Sequence, residues 1–599
     1  MSRRRLLGLA AGVGVGVGVG AGIGIGVSGI GTAEPTLPRG PAGSRTDPVS
    51  MAMHIHACFS EGTASMQAHL HEAQRNGIDV IWWTEHDFRM RAHGYRQEVH
   101  FDGLTELENG VDWTWREARF GQATEALASF VSEPRTPTEP GNALLMRLGA
   151  DSPDWAGISY EGDARNSTYT TCLIDTTIEL DVLAQSVGRD AELVVEIVSS
   201  YRPATAGRPA GQYALQYRVG AGGGRALEMD GLLGVMPVQV RPGWQRLRLR
   251  PVDDIAALWP DLVAGDSGLF RLRLLARARS GATAAGVFDR LRFIRAGRAD
   301  PLDLQRELVR EYSPRYPGVR QIQSAEISLV RHLNTFGGDL SLPDYGSGPA
   351  VRDNAVSAAE AMVKRVHGYG GIASYNHPLS GTAKELASHL VATRNMGADA
   401  VEVGYRQDVE QVSYAFDVAA RNAVFVTATG VTDDHSGLPW ANQRTRWISS
   451  VWAPSTETAD LVRGIGAGRL WFWDLGGWGG TFDINVHGKA AMGGVLVTGE
   501  RRVAVDVLAT DLPGDGSLDL VVGQVDRAGP DVPKPATTVF SRPARQVRGG
   551  RASIDLRPGR GQYLRAAVRD RAGSIVGYSN PLWILPDTSA SDVPPDRQV

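Results

Sequence analysis

The stretch Met53-His54-Ile55-His56 places two imidazole side chains one residue apart within an apolar run. Because alternate side chains of a β-strand leave the same face, both imidazoles can reach one metal ion. Far downstream, Thr432-Asp433-Asp434-His435 repeats this spacing with a carboxylate and an imidazole. Further candidate ligands lie between the two stretches, each at the end of an apolar, β-branched run: Glu61, His86, Glu326, His332 and His377. The whole set predicts a multinuclear metal site, and therefore a hydrolase.

The composition is that of a globular protein and excludes several classes of function. A chain of 599 residues is too long for one ordinary core, and we expect three domains. The net charge of −4 gives no basic surface, so a nucleic-acid partner is not expected. With only Cys58 and Cys172, a disulfide framework is excluded. We expect two reduced, buried thiols, because a single bridge would need their Cα atoms within about 7 Å.

The N-terminus has the pattern of an export signal. Ser2-Arg3-Arg4-Arg5-Leu6-Leu7 is followed by an apolar Ala/Gly/Val/Ile stretch and then by Gly31-Thr32-Ala33. The charged start, apolar middle and small-residue cleavage site predict a twin-arginine-type (Tat) signal peptide. The alternative is a retained N-terminal anchor. We expect an exported protein, periplasmic, on the cell surface or secreted, with no stable membrane span after cleavage.

Two kinds of periodicity divide the rest of the chain. On both sides of a long middle region, short apolar strands alternate with helical patterns, which predicts a parallel sheet or barrel. The middle region, with runs such as Glu192–Val198 and Tyr213–Val219, alternates with period two and predicts a β-sandwich. The expected divisions are a signal peptide at 1–33, a linker at 34–48, the first α/β part at 49–115, an inserted β-sandwich at 116–298, the second α/β part at 299–477, a C-terminal β domain at 478–586 and a disordered tail at 587–599.

The candidate ligand motifs, taken in order, resemble those of the polymerase and histidinol phosphatase (PHP) superfamily of metallohydrolases. That family's motifs are His-x-His with Ser-Asp-Gly, Thr-Asp-His-Asp, Gly-x-Glu with His-Leu, Ala-His-Pro and Gly-Ser-Asp-x-His. The matching segments occur in the same order on both sides of the middle region: His54–His56, Ser60–Gly62, Thr84–Asp87, Ala325–Glu326, His332–Asn334, Asn376–Pro378 and Gly430–His435.

Three positions depart from the family pattern. Glu61 stands where the family more often has Asp or His, so a longer carboxylate must fit. Ala325 replaces the glycine before the glutamate, and Thr432 replaces the usual serine. None of these changes removes a type of metal ligand.

The resemblance implies a distorted (β/α)7 barrel with metals at the C-terminal ends of its strands, where barrel enzymes build their sites. Asp433, His435 and Glu326 would then act in catalysis through bound metals. Imidazole and carboxylate ligands suit two or three divalent ions of Zn, Mn or Fe. Carried over by position, the implied ligand sets are His54, His56, Glu326 and Asp433 for one metal, Glu61, His86 and His435 for a second, and Glu326 as a bridge with His332 and His377 for a third.

Five other residues have weaker signals. Arg89 and Arg91 closely follow the His86 strand and could clamp a phosphate, or be solvated loop charges. Asn376 could contact the substrate. Asp87 could orient His86 from behind or cap the next turn, and Glu402, at a strand end in the same α/β region, could support the metal ligands from behind.

The leading predicted activity is hydrolysis of a phosphoester by a metal-activated hydroxide, which needs no Ser or Cys nucleophile. The alternative is hydrolysis of a carboxyl or carbamate ester. An exported branch of the superfamily that resembles carbaryl hydrolase has that activity, and its glutamate strand followed by His-hydrophobic-Asn is similar to Glu326–Asn334. The expected substrate is a small or glycan-linked ester.

A glycan-binding surface protein with a merely structural metal site is the further alternative. Its basis is the predicted sandwich, which ends in Val287–Phe293 and there resembles the last strand of jelly-roll carbohydrate-binding modules. If the insert instead caps the active site, its deletion should change substrate choice and leave the metal content intact.

Overall fold

The computed structural model describes thirteen segments of the chain. The described residues are 46–92, 97–99, 105–107, 115–132, 142–162, 172–220, 228–295, 300–345, 352–406, 408–530, 537–557, 559–586 and 593–599. The predicted signal peptide and most of the predicted linker lie outside these segments. Within them, none of the helices combines the length and the apolar character that a membrane crossing requires.

The first α/β part contains two parallel strands and two helices. Met51 to Ile55 of the first strand are buried, as the apolar pattern predicts, and Met51 pairs with Val80 of the second strand. The first helix begins after Ser65, whose hydroxyl accepts the N–H of Ala68. The elements are β1 (Asp47–Ile55), α1 (Met66–Arg75), β2 (Val80–Trp83) and α2 (Asp87–Ala92).

The middle region folds into two seven-stranded sheets. One buried core joins them, with Leu193 and Leu274 from the first sheet and Leu180 and Phe288 from the second. The predicted period-two runs are strands of this β-sandwich, but the sandwich begins before the predicted boundary at 116, because β3 and β4 belong to one of its sheets. Its elements are β3 (Gln97–Val99), β4 (Thr105–Leu107), β5 (Trp115–Phe120), β6 (Glu125–Val131), β7 (Ala143–Ala150), β8 (Ala156–Gly162), β9 (Thr176–Ser186), β10 (Ala191–Arg202), β11 (Gly211–Val219), β12 (Glu228–Asp230), β13 (Leu233–Val238), β14 (Trp244–Leu249), α3 (Pro251–Leu258), β15 (Leu269–Ala278) and β16 (Ala282–Arg295).

The second α/β part follows the sandwich. Helix α6 begins with a capping box, in which Thr382 and Glu385 bond each other's backbone N–H groups. The elements are α4 (Pro301–Tyr312), β17 (Arg320–Gln323), β18 (Ala325–Ile327), β19 (Leu333–Phe336), α5 (Val356–Gly368), β20 (Ile372–Tyr375), α6 (Ala383–Thr393), β21 (Ala400–Gly404), α7 (Val409–Arg421), β22 (Thr427–Gly430), β23 (Trp447–Ala453), α8 (Thr458–Gly466) and β24 (Leu470–Asp474).

The strands of the two α/β parts pair within two mixed sheets. The closed (β/α)7 barrel that the family resemblance implies is therefore not shown. Among the described strands, one sheet contains the order β17-β2-β1-β23-β24 and the other has the order β18-β19-β20-β21-β22. Strand β19 is antiparallel to both of its neighbours. Single bridges between Ile55 and Asp434 and between His86 and Glu326 connect the two sheets. Both bridges contain candidate metal ligands or their immediate neighbours.

The C-terminal β region continues one of these sheets. Strand β24 pairs with β33, so hydrogen bonding runs from β1 into the C-terminal strands, and a separate four-stranded sheet packs beside them. The strands are β25 (Phe482–Val486), β26 (Lys489–Ala490), β27 (Val495–Val497), β28 (Val503–Ala509), β29 (Ser517–Gln524), β30 (Thr537–Pro543), β31 (Arg551–Leu556), β32 (Gln562–Arg569), β33 (Ile575–Ser579) and β34 (Leu582–Leu585).

The last seven residues differ from the expected disordered tail. Arg597 is buried and donates to the carbonyl of Gly493 at 2.9 Å and to Thr427 Oγ1 at 2.7 Å. A buried guanidinium needs such partners, and these hold residues 593–599 against the body of the protein. The preceding part of the predicted tail, 587–592, lies outside the described residues.

The sandwich is joined to helix α1 by a buried polar cluster. Asp266 of the sandwich accepts the N–H groups of Met66 at 2.8 Å and Gln67 at 3.0 Å. It also accepts the hydroxyl of Tyr312 at 2.7 Å and lies 3.3 Å from the guanidinium of Arg202. We call Asp266, Arg202 and Tyr312 the interface cluster. It supplies partners for N–H groups that the first turn of a helix leaves unbonded.

The two cysteines lie in the same contact region. Cys58 and Cys172 are both buried, and their Sγ atoms are 3.8 Å apart. This is a contact between two thiols, in agreement with the expected reduced state.

Candidate metal centre

The nine predicted ligands come together where the two α/β sheets meet. They are carried by strand ends or by the loops that follow them, as expected for a site at the C-terminal ends of strands. Three groups have ligand atoms that all lie within 4.8 Å of one another: His56, His86 and His435; His54, His56 and Asp433; and Glu326, His332 and His377.

The first predicted ligand set is the most deeply buried. The Nε2 atoms of His54 and His56 each lie 3.4 Å from Asp433 Oδ1. They lie 3.6 and 3.7 Å from the two carboxylate oxygens of Glu326. Both imidazoles have no solvent-exposed side-chain surface. Two imidazoles from one strand therefore converge on two carboxylates from other strands.

The second predicted set lies beside the first. Glu61 Oε1 is 2.5 Å from His86 Nε2 and 3.2 Å from His435 Nε2. The ring of His56 lies 4.5 Å from that of His86 and 4.3 Å from that of His435, measured between centroids. The longer carboxylate at position 61 thus reaches both imidazoles assigned to this set.

The third predicted set surrounds the other side of Glu326. His332 Nδ1 lies 3.0 Å and His377 Nε2 lies 3.4 Å from Glu326 Oε1. The other oxygen of Glu326 is 2.7 Å from His86 Nδ1. Glu326 therefore contacts imidazoles from all three sets, which is the position expected of a bridging ligand.

Two buried nitrogen atoms test whether the site fits a metal. His54 Nε2 and His56 Nε2 are enclosed, yet neither has a hydrogen-bond partner among the described residues. A buried polar atom without a partner is costly. Because both atoms lie 3.4–3.7 Å from carboxylate oxygens without forming a hydrogen bond, a cation between them would satisfy both. The residues present fit a divalent metal with imidazole and carboxylate ligands.

Glu402 supports the ligands from behind. Its Oε1 accepts the Nδ1–H of His54 at 2.7 Å, and its Oε2 accepts the backbone N–H of His377 at 2.5 Å. Bonding at Nδ1 leaves His54 Nε2 free to bind a metal. The supporting role of Glu402 stays a prediction, and these two bonds are the contacts through which it would act.

Asn376 lies behind the ligands and is buried, although we expected it to contact the substrate. Its amide donates to Glu326 Oε1 at 2.9 Å, and its carbonyl oxygen accepts the N–H of Asn334 at 3.2 Å. Both ends of the side chain are thus used within the protein. Asn376 orients Glu326, and its burial gives it no surface to offer a substrate.

Asp87 reaches His86 only through another residue. Its carboxylate accepts the N–H of Ser328 at 3.0 Å and the hydroxyl of Tyr345. Ser328 in turn bonds His86 Nδ1. Burial raises the pKa of Asp87 to about 6, although these bonds favour its charged form. The predicted orienting role thus passes through a serine that the sequence pattern did not indicate.

The two candidate phosphate-clamping arginines have different surroundings. Arg89 is buried, and its Nε lies 3.1 Å from Glu61 Oε2. Arg91 is partly exposed and lies 3.2 Å from Asp344. Both guanidinium groups already contact carboxylates of this chain. Arg89 contacts the second ligand set through its ion pair with Glu61.

Sequence reasoning missed several neighbours of the site. Tyr405 donates its hydroxyl to Asp433 Oδ2 at 3.0 Å, and Arg352 Nη1 lies 3.0 Å from His332 Nε2. His69 of α1 is buried and bonds the carbonyl of His56 at 3.0 Å. Tyr405 had a usable signal, because it directly follows the end of strand β21. Arg352 had none, since it lies in a loop with no motif.

The charges of the site hold its carboxylates in the form that binds cations and divide its imidazoles. Burial opposes ionisation of Glu326, but the imidazoles of His86, His54 and His332 hold its pKa well below the usual range. Burial, reinforced by His435 and His86, lowers the pKa of His56 to about 3. Ionised carboxylate and neutral imidazole are the forms that coordinate a metal. Burial lowers the pKa of His86 and of His435, but the neighbouring carboxylates outweigh it and raise these pKa values to about 10 and about 9, so a metal would displace protons there.

Three candidate ligands have backbone in the left-handed region. The φ angles are +50° at His332, +25° at His377 and +48° at Asp433. Non-glycine residues rarely adopt this conformation, and such strain is concentrated at functional sites. Its occurrence at three members of one cluster is consistent with side chains that are held for a purpose other than stability.

Comparisons with known proteins give only distant similarities. No family model matches the sequence, and no curated protein matches it. A solved two-domain protein from Bacteroides vulgatus, which contains a predicted PHP-like metal-dependent phosphoesterase, shares 14% identity over 46% of this chain and 78% of its own, with a TM-score of 0.22. Carbohydrate-binding modules of the β-sandwich superfamily share 9% identity over 33% of this chain and 84% of their own, with a TM-score of 0.18.

A third structure, a β-1,2-glucanase from Parabacteroides distasonis, shares 9% identity over 79% of this chain and 36% of its own, with a TM-score of 0.17. At such identities and TM-scores, the function has to be argued from the site.

Proposed function

We propose that this chain is an exported, metal-dependent hydrolase of the PHP type, and that its substrate is a phosphoester. The observation that carries the proposal is the pair of buried imidazole nitrogens on His54 and His56. They have no hydrogen-bond partner within the described segments and lie next to Asp433 and Glu326. Such an arrangement is costly unless a cation is held there. The ions are Zn, Mn or Fe, in two or three sites.

Divalent ions held by these residues would activate a water molecule and neutralise charge that develops on the substrate. The protein's own residues fix the ligands. Glu402 bonds His54 at Nδ1 and so leaves Nε2 as the atom that faces the ion, Asn376 orients Glu326, and Tyr405 holds Asp433. Preorganised ligands of this kind lower the cost of reaching the reactive geometry.

The substrate would approach from the partly exposed side of the cluster. The side chains of His435, His377 and His332 are 32%, 25% and 23% exposed, whereas those of His54 and Glu326 have at most 1% exposure. The buried layer therefore holds the ions, and the three exposed imidazoles line the opening.

Arg352 favours a phosphoester over a carboxyl or carbamate ester. Its guanidinium lies beside His332, on the exposed side of the cluster, and the residue is exposed. A guanidinium at this position matches the charge and geometry of a phosphate group. A carboxyl or carbamate ester would place less negative charge next to it.

Glycan binding by the sandwich is a second candidate function. The rings of Trp115 and Tyr160 stack at 5.0 Å between centroids. The ring of Phe130 lies 5.9 Å from that of Tyr160, and Phe130 is 44% exposed. Exposed aromatic faces can pack against the apolar faces of sugar rings. Retention on immobilised polysaccharides should fall in Phe130→Ala but not in Val240→Ala, an exposed apolar residue of the same sandwich. Equal retention of both variants would exclude this surface.

A hydrolysis panel tests the proposed activity. It contains a phosphomonoester, a phosphodiester, a carboxyl ester and an aryl carbamate, each assayed with and without a chelator. We expect chelator-sensitive phosphate release, and a loss of kcat/KM of at least about 100-fold in His54→Ala. His71→Ala, an exposed histidine on α1, is the control and should remain active. Preferential turnover of the carboxyl ester or carbamate would replace the phosphoester proposal by its alternative.

A further inference from the structure

A cavity of about 680 Å³ lies where the loop after β21, the loop before β23 and the C-terminal β region meet. Its walls carry three arginines and three acidic residues. Backbone from Gly476 and Gly477 and from Gly573 closes the far side. The charged residues of the wall are Arg406, Arg444, Arg446, Glu410, Asp474 and Asp570.

Each carboxylate of this wall already has a partner. Asp474 lies 2.6 Å from Arg446, and Glu410 lies 2.6 Å from Arg569, which is outside the wall. Asp570 accepts the backbone N–H of Ser574 at 2.8 Å.

Two guanidinium groups remain without an acidic partner in the described part of the chain. They belong to Arg406 and Arg444, which are both exposed. Against these two arginines stands the charge of Asp570, whose partner is a backbone N–H, so the cavity has an excess of one positive charge. A positive excess in a concave polar cavity attracts an anion, and the planar donors of arginine match its oxygen atoms.

The backbone directs Arg406 into this wall at some cost. Its φ angle is +48°, in the left-handed region, where an arginine has no intrinsic preference. The indole N–H of Trp447, another wall residue, donates to the carbonyl of Arg406 at 3.0 Å and holds it there. The guanidinium carbon lies 4.8 Å from the ring centroid of Tyr405. A backbone conformation that is strained and held by a neighbouring side chain is concentrated at binding positions.

The cavity is adjacent to the candidate metal centre through Tyr405. The hydroxyl of Tyr405 donates to Asp433, and its ring lies 5.4 Å from that of His377, while Arg406 lies over the same ring. The loop between β22 and β23 likewise carries Asp433 at its start and Arg444 near its end. The same two loops therefore bring residues to the metal centre and to the cavity.

We propose that this cavity binds a second anionic group, a phosphate or a carboxylate, of the substrate whose ester reacts at the metal centre. The inference rests on the proposed function for the reacting ester, but the anion site itself does not. The substrate class is then a phosphoester that carries another anionic group at a distance from the bond that is cleaved. Arg406 and Arg444 bind that group.

Calorimetry tests the anion site independently of any hydrolysis. Inorganic pyrophosphate is titrated into chelator-treated full-length protein, so that binding through metals does not contribute. We expect the double variant R406Q/R444Q to bind about tenfold or more weakly than the wild type. Arg501→Gln, an exposed arginine outside the cavity, should bind as the wild type does. Unchanged affinity in the double variant would overturn the proposal. Malonate in place of pyrophosphate identifies whether phosphate or carboxylate is preferred.

Kinetics test the connection to the metal centre. The substrates are monophosphates and bisphosphates of linear diols of increasing length. We expect one range of lengths at which the bisphosphate has the higher kcat/KM through a lower KM, and we expect R406Q/R444Q to abolish that advantage while monophosphate turnover stays. If neither series is hydrolysed while pyrophosphate binding remains arginine-dependent, the proposed phosphoesterase fails and the anion site stands. Equal hydrolysis of both series at every length would overturn the link between cavity and substrate.

Discussion

Glu402 holds two candidate metal-ligand residues at once. One carboxylate oxygen accepts the imidazole N–H of His54 and the other accepts the backbone N–H of His377. The bond to His54 is buried and the bond to His377 is partly buried, so water cannot replace the first without rearrangement. The side chain of Glu402 thus fixes the ring orientation of His54 in the first ligand set and the left-handed backbone of His377 in the third.

Replacement of Glu402 by glutamine should weaken metal binding without removing a ligand. The amide of Glu402→Gln can accept from only one of its two present donors, so either the His54 ring or the His377 backbone loses its partner. We expect metal affinity to fall about 10- to 100-fold, measured by competition with a coloured chelator. Glu307→Gln, an exposed change of the same kind on α4, is the control. Unchanged affinity in Glu402→Gln would show that Glu402 does not position the ligands.

The convergence of the nine candidate ligands could be predicted from sequence, because each lies in a short local pattern at the end of a strand. Their supporting contacts could be predicted only in part. Glu402 has a strand position that indicates its role, but Ser328 and Arg352 reach their histidines through loop conformations. Hydroxyl and guanidinium contacts of this type depend on tertiary packing, which leaves no periodic signal in the chain.

At the scale of elements, the helices and strands agree with the predicted periodicity, whereas the expected closure of the strands into a barrel is not shown. Gly404 and Gly430, at the ends of β21 and β22, lie directly against the ring of Phe472 on β24, and an added Cβ would come within 2.6 Å of that ring at Gly404 and 2.7 Å at Gly430. Strands β21 and β22 thus contact β24 by close packing at these two glycines and not by strand pairing. No motif in the sequence encodes that contact.

A half-buried carboxylate on β25 makes a prediction about pH. Burial raises the pKa of Asp483 to about 6 from its ordinary value of 3.8, against the opposing N–H of Ile484 and the charge of Arg469. Between about pH 4 and pH 6 the folded state then binds more protons at this residue than the unfolded state. The contribution of Asp483 to the free energy of unfolding therefore decreases as pH rises through that window.

Asp483→Asn should remove this dependence. Urea denaturation should show a variant about 1–2 kcal/mol more stable than the wild type at pH 7.5, with the difference vanishing near pH 4. Asparagine keeps the oxygen that accepts the N–H of Ile484 at 2.8 Å. Asp515→Asn, at an exposed position, controls for the loss of one charge. A gain that is equal at both pH values would contradict the assignment to Asp483 ionisation.

The interface cluster makes a second prediction at this scale. In Asp266→Asn the guanidinium of Arg202 loses its buried carboxylate, and the N–H groups of Met66 and Gln67 compete for one oxygen. We expect a loss of about 3 kcal/mol in the free energy of unfolding. Asp261→Asn breaks an exposed pair with Arg208 and should cost less than about 1 kcal/mol. Equal costs for the two variants would mean that Asp266 does not join the sandwich to α1.

At the scale of the whole molecule, the sandwich is connected to the loops of the metal centre. The backbone N–H of Tyr201, at the end of β10, donates to the carbonyl of Thr63, and the N–H of Ser65 donates back to Tyr201. The N–H of Thr63 bonds the carbonyl of His435 at 2.7 Å. A chain of backbone hydrogen bonds therefore runs from the sandwich, through the loop that carries Glu61, to a second candidate ligand.

Deletion of the sandwich from β3 to β16, residues 97–295, should therefore lower the metal content. A separate cap over the active site would leave it intact, but here Glu61 and His435 lose the strand end and the interface cluster that hold their loops. We expect metal per chain, measured by atomic emission after dialysis, to fall in the deletion variant. Because such a variant can unfold, full-length Asp266→Asn serves as the second measurement and should show weaker metal binding while it remains folded. Full metal content in both variants would make the sandwich a cap that shapes the substrate opening without supporting the ligands.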